Sequence, residues 1–360
     1  MKKINRRPTA GWRDRGKRWL AWPLMGLLAI LLLMPVAVHW LSEPAQAQAS
    51  SQTQEGSNER ANYWRAVRDG VSGYTAVQGR ETNVLIQNGG ENWRSLRQGP
   101  IQFYSAWLLA FVIFAAGLMH IINGPQKIEK GRSGLLIPRW NLFERVLHWY
   151  VAVLFIVLAL TGLSLLYGRE VMIPLLGKSG FAAYAGYAKN AHNYLGPFFV
   201  VGMLLMIAIW LKFNMPIKAD WEWIKSAGGM WGKKHPPAGK SNAGEKLMYW
   251  QFVVTGSALI ATGLILDFPN FGQTREMMQW SHVIHVVAAV IAIVTLLGHA
   301  YMALFGVEGA LEGMINGKVD VEWAKQHHDL WYEEEIAKGV RPEPVAKPPA
   351  VTRRAEPQST

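Results

Sequence analysis

The sequence contains no cysteine. This absence excludes covalent c-type haem attachment, which needs a CxxCH motif, and it excludes disulfides and iron–sulfur ligation by this chain. Acidic residues are also scarce, with 25 Asp and Glu against 37 Lys and Arg. A basic balance can indicate nucleic-acid binding, but here the cations lie mostly in loops that flank apolar segments, where they fix membrane orientation. The sequence therefore predicts no nucleic-acid partner.

Long apolar runs are abundant instead, and half of all residues are hydrophobic. A run of about 20 apolar residues is long enough to cross a bilayer as a helix. Six runs in the chain approach or exceed this length, at residues 19–41, 101–122, 146–167, 195–213, 247–266 and 280–305. The sequence therefore predicts an all-α integral membrane protein with several spans.

The N-terminal region has the order of a secretory signal peptide: basic residues, an apolar run, and then the small-residue segment SEPAQAQAS. We predict a signal peptide at residues 1–47, with an uncleaved N-terminal anchor as the alternative. Residues 48–100 are polar and are predicted to form an outer, periplasmic segment without a core of its own. Residues 101–123 are predicted to be an additional transmembrane helix.

The remaining spans are oriented by their charged loops. Residues 123–145 and 214–246 are rich in Lys and Arg, which predicts that both loops lie on the inner side. Residues 168–194 then form an outer loop, and residues 139–317 form a four-helix transmembrane domain. Residues 318–360 form a cytoplasmic tail, which begins with an amphipathic helix near 318–338 and is disordered at its end.

Histidines inside the apolar runs carry the functional signal. His285 and His299 lie fourteen residues apart in one run, so they share a helix face about 21 Å apart along the axis. His192 matches the outer depth of His285, and His148 matches the inner depth of His299. Two ligands at each depth are what two six-coordinate haem b groups need, so we predict a dihaem cytochrome b bundle.

Other readings of the histidines remain open. A single histidine at the end of a span is often an interfacial residue whose polar tip lies in the headgroups. Three further histidines lie in inner polar segments and are predicted to be solvated: His235, His327 and His328.

Residues 139–336 resemble the cytochrome b (gamma) subunit of respiratory membrane-bound formate dehydrogenase. The resemblance rests on FERVLHW around His148, AHNYLGPFF around His192, KSNAGEKLMYW, and the last span with its tail from GMINGKV to HHDLWY. It implies that His192 and His285 bind the outer haem and that His148 and His299 bind the inner haem. It also implies a quinone site, for menaquinone or ubiquinone, lined by Asn242, Gly244 and His299. From the sequence, Asn242 could equally be the N-cap of the helix that follows.

The resemblance further implies the partners and the reaction. The partners would be an iron–sulfur (beta) subunit and a molybdenum- or tungsten-pterin catalytic (alpha) subunit. Electrons from formate oxidation would pass through the iron–sulfur partner and two b haems to quinone, in the inner membrane of a bacterium, with the C-terminus cytoplasmic. This chain would be the subunit that does not oxidise formate. The alternatives are the cytochrome b subunit of a Ni,Fe-hydrogenase or of another molybdo-oxidoreductase and, in a different class, a haem-free membrane scaffold or transporter.

Overall fold

The computed structural model describes residue 65 and residues 88–229 and 235–345. This part of the chain is mostly helical and contains five helices that are long and apolar enough to cross a membrane: Asn92–Asn123, Leu142–Leu166, Gly168–Phe213, Ala243–Asp267 and Arg275–Gly306. They fit the prediction of a multi-pass membrane protein. The predicted signal peptide, the span at 19–41, nearly all of the polar segment before residue 88 and the end of the tail lie outside the described residues.

The described residues separate into two compact units. The first, called here the helical unit, comprises residues 88–124, 149–209 and 250–302. The second, called here the β-containing unit, comprises the described residues of 125–148, 210–249 and 303–345.

The additional helix is longer than the sequence predicts. Helix α1 (Asn88–Leu96) continues through a wider π-type turn (Arg97–Ile101) into α2 (Gln102–Asn123). The helix ends at Gly124, whose φ of +66° favours glycine and whose N–H donates to the carbonyl of His120. Gln102 Nε2 donates to the Leu166 carbonyl over 2.8 Å, which anchors the start of α2 to the end of the helix Leu142–Leu166.

The other membrane helices run as two successive pairs. The first pair is α3 (Leu142–Leu166) and α4 (Ile173–Trp210), joined by a π-type turn at Gly168–Met172. The second pair is α6 (Ala243–Asp267) and α7 (Arg275–Tyr301), which is continued by a π-type turn at Met302–Gly306. Helices α1 and α2 both pack against α7.

The prediction of a loop at residues 168–194 is wrong, because this segment is helical apart from a kink at Gly177 (φ +71°). Its outer location stays a prediction. The segment is held by contacts that a hydropathy scan does not detect. Phe181 lies so close to Gly168 that a Cβ there would be 2.1 Å from its ring, and Tyr184 donates to Ser164 Oγ over 2.9 Å. His192 therefore lies well inside α4 rather than before its start.

The β-containing unit has a small antiparallel sheet in the order β2-β1-β3, formed by β1 (Leu135–Pro138), β2 (Lys318–Asp320) and β3 (Glu343–Pro344). In the β1–β2 register, Ile137 pairs with Val319. The described chain is thus mostly α rather than all-α. The short helices of this unit are α5 (Lys218–Lys225), α8 (Glu312–Asn316), α9 (Val321–His327) and α10 (Asp329–Ala337), with 3-10 turns at Leu211–Phe213 and Ala227–Gly229.

The prediction of one amphipathic helix near 318–338 is also wrong. The segment starts as strand β2, and α9 and α10 are separate helices that meet at His328, which has non-helical backbone angles. Asp320 explains the switch from strand to helix, because its carboxylate caps α9 by accepting from the Glu322 N–H over 2.8 Å. The same carboxylate accepts from Ser133 Oγ over 3.0 Å and so ties α9 to the segment before β1.

Candidate haem and quinone sites

The two outer histidines come together in the helical unit. His192 on α4 and His285 on α7 have ring centroids 6.2 Å apart and ring planes inclined at 67°. These two residues are 93 positions apart in the sequence, so their approach is a property of the fold and not of local structure.

Each of these imidazoles contacts a threonine on the preceding helix. Thr161 Oγ1 on α3 lies 2.9 Å from His192 Nδ1, and Thr262 Oγ1 on α6 lies 2.9 Å from His285 Nδ1. Each threonine also donates its hydroxyl hydrogen to a carbonyl one turn back in its own helix: Thr161 to Val157 over 2.8 Å and Thr262 to Ala258 over 2.6 Å.

These contacts favour one tautomer for both histidines. A threonine has one hydroxyl hydrogen, and in both cases a backbone carbonyl lies within hydrogen-bond distance to accept it. The oxygen can then only accept from the imidazole, so the proton of each neutral ring lies on Nδ1. The lone pair of each ring therefore lies on Nε2, which is the nitrogen left for a metal.

Glycines next to the threonines keep space beside the rings. A Cβ at Gly162 would lie 3.5 Å from His192 Cε1, and a Cβ at Gly263 would lie 3.4 Å from His285 Cε1. A methyl group at either position would already be in van der Waals contact with the imidazole. Glycine thus leaves the ring edge accessible to a flat macrocycle.

The equivalence of the two sites has a sequence signal that hydropathy and histidine spacing do not reveal. The pair Thr161-Gly162 follows Glu144 of the segment NLFE by 17 positions, and Thr262-Gly263 follows Glu245 of the segment NAGE by the same 17. Helices α3 and α6 are thus two versions of one pattern. A search for internal repeats would have identified both threonines.

The geometry of the outer pair fits a bis-histidine haem. Metal–nitrogen bonds to histidine are about 2.0–2.1 Å for zinc. An iron bond of similar length would place each ring centroid about 3 Å from the metal. Two rings on opposite sides of one iron would then have centroids about 6 Å apart, which agrees with the observed 6.2 Å.

The inner histidines lie in different units. His148 is in the second turn of α3, and its ring lies 6.1 Å from the ring of Trp210 at an inclination of 30°. His299 is in the last turn of α7, in the helical unit. The pattern shared by α3 and α6 does not include the inner histidines. The residue four positions after Glu144 is His148, whereas the residue four positions after Glu245 is Tyr249. Their assignment as one haem site stays a prediction.

Asn242 is an N-cap, as the alternative interpretation of the sequence expected. Its Oδ1 accepts from the Glu245 N–H over 2.9 Å, and the Glu245 carboxylate accepts from the Asn242 N–H over 2.9 Å. This reciprocal capping box starts α6 and uses the amide oxygen, so the amide nitrogen still has donor capacity. Asn141 and Glu144 form the same box at the start of α3, with distances of 2.8 and 2.9 Å.

Gly244, the second predicted quinone residue, is required for a packing contact. A Cβ at Gly244 would lie 2.7 Å from the indole of Trp223, which belongs to α5. Lys246 binds Asp220 of the same short helix over 2.9 Å. These contacts fix the start of α6 against α5 and hold the Asn242 side chain in a defined position.

The prediction that His327 and His328 are solvated is wrong. His328 has only 1% of its surface exposed, and its Nδ1 lies 2.8 Å from the Gly239 carbonyl. Burial holds the pKa of His328 well below its usual range, with a further contribution from the charge of Arg139. Burial also lowers the pKa of His327 to about 4, assisted by His235 and Arg139. His235 itself is exposed and lies 3.1 Å from Glu129.

Comparison with known proteins places these features in a family. Residues 139–317 match the family model described as prokaryotic cytochrome b561. Over 204 residues the chain is 33% identical to the cytochrome b556(Fdn) subunit of the nitrate-inducible formate dehydrogenase of Escherichia coli, covering 55% of this chain and 91% of that protein. It is 27% identical over 216 residues to the formate dehydrogenase cytochrome b556 subunit of Haemophilus influenzae, covering 58% and 87%. It is also 27% identical over 202 residues to the cytochrome b556(fdo) subunit of Escherichia coli, covering 55% and 92%.

Apolar helices that carry a close pair of histidines, together with the family match, define the class as a multi-pass membrane cytochrome b. Within that class, the relatives described above are formate dehydrogenase subunits, and the chain aligns with most of their length. The chain belongs to the family of formate dehydrogenase cytochrome b subunits.

Proposed function

We propose that this chain carries electrons through the membrane in a formate:quinone oxidoreductase complex and that it holds two haem b groups. His192 and His285 would bind the outer haem, and His148 and His299 the inner one. Haem b supplies one-electron chemistry, and an iron with two histidine ligands has no open position for a substrate. The observation that carries the proposal is the 6.2 Å spacing of the outer rings, with Nε2 of each ring left for the metal.

The partners and the membrane arrangement complete the proposal. An iron–sulfur subunit and a molybdenum- or tungsten-pterin subunit would oxidise formate and supply electrons on the outer side. Helices α3, α4, α6 and α7 would form the four-helix haem bundle in the bacterial inner membrane, with α2 as an additional helix and a signal peptide before it. The inner loops and the tail would be cytoplasmic, which is supported by their Lys and Arg content.

Single histidine substitutions test the ligand pairs. Because each haem needs both of its ligands, His192→Ala and His285→Ala should each remove the same haem, and His148→Ala and His299→Ala should each remove the other. Haem content and the reduced α-band of the purified complex measure this. His120→Gln is the matched control, since His120 lies in α2 beside Tyr301 and is no proposed ligand. Retention of both haems in His192→Ala would contradict the assignment.

Quinone reduction would take place at Asn242, Gly244 and His299, near the inner haem. A quinone carbonyl needs a hydrogen-bond donor, and the amide nitrogen of Asn242 is not used by the capping box. The proton for quinol would come from the inner aqueous side. The capping box itself does not require the amide nitrogen, because an aspartate caps equally well.

Asn242→Asp therefore separates the two roles of this residue. The substitution keeps an oxygen for the Glu245 N–H and removes the donor to quinone. We expect slower quinone reduction while haem reduction by formate is unchanged. Asn141→Asp is the control, since it makes the same change in the capping box of α3. Normal quinone kinetics in Asn242→Asp, or equal losses in both variants, would refute the assignment.

A further inference from the structure

A cluster of hydrogen-bond donors lies in the helical unit near the outer histidine pair. It consists of Trp93 on α1, Arg97 in the following π-type turn, and His282 on α7, in a region where α1 packs against α7. The rings of Trp93 and His282 are 5.4 Å apart and inclined at 62°. Arg97 follows Trp93 by four residues in a continuous helical segment, which places the two side chains on one face. Its charge also acts on His282.

Two donors of this cluster are buried without a partner. Among the described residues, no acceptor lies within hydrogen-bond distance of Trp93 Nε1 or of Arg97 Nε. Nor does any carboxylate of the described chain form an ion pair with Arg97. A buried donor without an acceptor destabilises a protein by about 1–3 kcal/mol, and more if it is charged. The arrangement is therefore suited to an anionic acceptor that the described chain does not itself supply.

The position of His282 indicates which acceptor this is. His282 precedes the ligand His285 by three residues, which places both side chains on one face of α7 about one turn apart. His282 is exposed on the surface of the chain, so a bound group can reach it. Haem b carries two propionate carboxylates on one edge. If His285 held a haem, a propionate would be within reach of a side chain one turn away on the same face of α7.

We propose that Trp93, Arg97 and His282 form a carboxylate-binding site for a propionate of the outer haem. The inference rests on the proposed outer haem and adds a role for the segment before residue 102. That segment lies upstream of residues 139–317, which carry the family match. The N-terminal addition of this chain would then contribute to the cofactor environment as well as adding a membrane helix.

The electrostatic consequence can be measured. A guanidinium near the propionate favours the reduced haem, because it compensates negative charge at the site. Arg97→Gln in the assembled complex should therefore shift the midpoint potential of the outer haem to a more negative value and leave the inner haem unchanged. It should also shift the propionate vibrations in resonance Raman spectra. Arg94→Gln is the matched control, since Arg94 is exposed on α1 one turn earlier.

Trp93→Phe gives a second, charge-neutral test in case Arg97→Gln fails to assemble. It keeps an aromatic ring beside His282 and removes only the N–H donor, so the propionate vibrations should shift while the potential changes little. Unchanged propionate vibrations in Trp93→Phe overturn the inference. Equal potential shifts in Arg97→Gln and Arg94→Gln also overturn it, since they would reflect only distant charge.

Two further outcomes separate this inference from the proposed function. If Arg97→Gln releases a partner subunit while the outer haem keeps its potential and its vibrations, the anion is a partner carboxylate and the propionate assignment is wrong. If His285→Ala and His192→Ala remove no haem from the complex, the proposed outer haem itself fails. A haem that is lost in those variants but is insensitive to Arg97→Gln refutes the carboxylate site alone.

Discussion

In the helical unit, Thr161 and Thr262 each orient one histidine, and the two arrangements are nearly identical in distance and sequence spacing. In the β-containing unit, by contrast, the buried cation Arg139 organises the core. Arg139 lies 4.8 Å from the ring of Trp323 and 5.4 Å from that of Trp331, and its Nη2 donates to the Lys240 carbonyl over 3.0 Å. The helical unit thus repeats one threonine–histidine arrangement, whereas the core of the β-containing unit depends on Arg139.

This difference predicts how each region fails. Loss of one threonine should weaken one ligand of the outer pair and leave the second intact. Loss of Arg139 should affect its whole unit, because sheet, tail helices and Trp rings all converge on it. The core around it is formed by residues distant in sequence, from Ile128 and Ile137 to Val319 and Trp331.

Arg139→Ala should have the largest effect on stability. The substitution removes stacking on several aromatic rings and hydrogen bonds to Lys240 and Glu245, so we expect a loss of about 3 kcal/mol in the β-containing unit. Hydrogen exchange of α9 and α10 in the membrane-bound protein measures it. Arg132→Ala is the control, because Arg132 is paired with Glu308 and Glu312 at the surface and should contribute under about 1 kcal/mol. Equal effects of the two variants would contradict a central role for Arg139.

Acid pH should weaken the same unit. His327 and His328 have lower pKa values folded than unfolded, where the value is about 6.5. The unfolded state therefore binds more protons below pH 6.5, and stability that is fully present above this pH is lost as pH falls toward 4. Between pH 7 and 5.5 the loss should reach roughly 2 kcal/mol.

Hydrogen exchange of α9 and α10 at the two pH values checks this acid sensitivity. The charged and titratable groups that face the two histidines are Arg139, Glu245 and His235. His327→Gln should make the pH dependence shallower, since it removes one titrating group. Protection factors, which are corrected for the intrinsic exchange rate at each pH, that stay the same at the two pH values would show that neither histidine is buried in its neutral form.

The threonines test the equivalence of the outer ligands. Thr161→Val and Thr262→Val keep the side-chain shape but leave an imidazole N–H without its acceptor, at about 1–2 kcal/mol each. Loss of such a contact typically weakens metal binding 10–100-fold, so the outer haem should be released more easily in both variants and to a similar degree. Thr→Ser at each position keeps the hydroxyl and should restore retention. A large effect at only one threonine would break the equivalence.

The sequence predicts the membrane helices well because hydropathy is a property of each segment alone. The haem-ligand pairs are a prediction from depth along the helices, and the structure brings His192 and His285 within 6.2 Å of each other. The helical segment before His192 was missed because Phe181 and Tyr184 are fixed by residues of other elements. The burial of His328 was missed for the same reason, since Gly239 reaches it from a distant part of the chain.

Substitutions in the two capping boxes should have the smallest effects on stability, but their effects on haem retention should differ. Asn141→Ala and Asn242→Ala remove the same hydrogen bond, and each should destabilise its helix start by about 1 kcal/mol. The consequences should differ, because the second turn of α3 carries His148 whereas the equivalent turn of α6 carries Tyr249. Fraying of α3 should therefore loosen a ligand of the inner haem, and fraying of α6 should not. Haem content after mild heating measures the difference, and equal haem loss in the two variants would argue against His148 as a ligand.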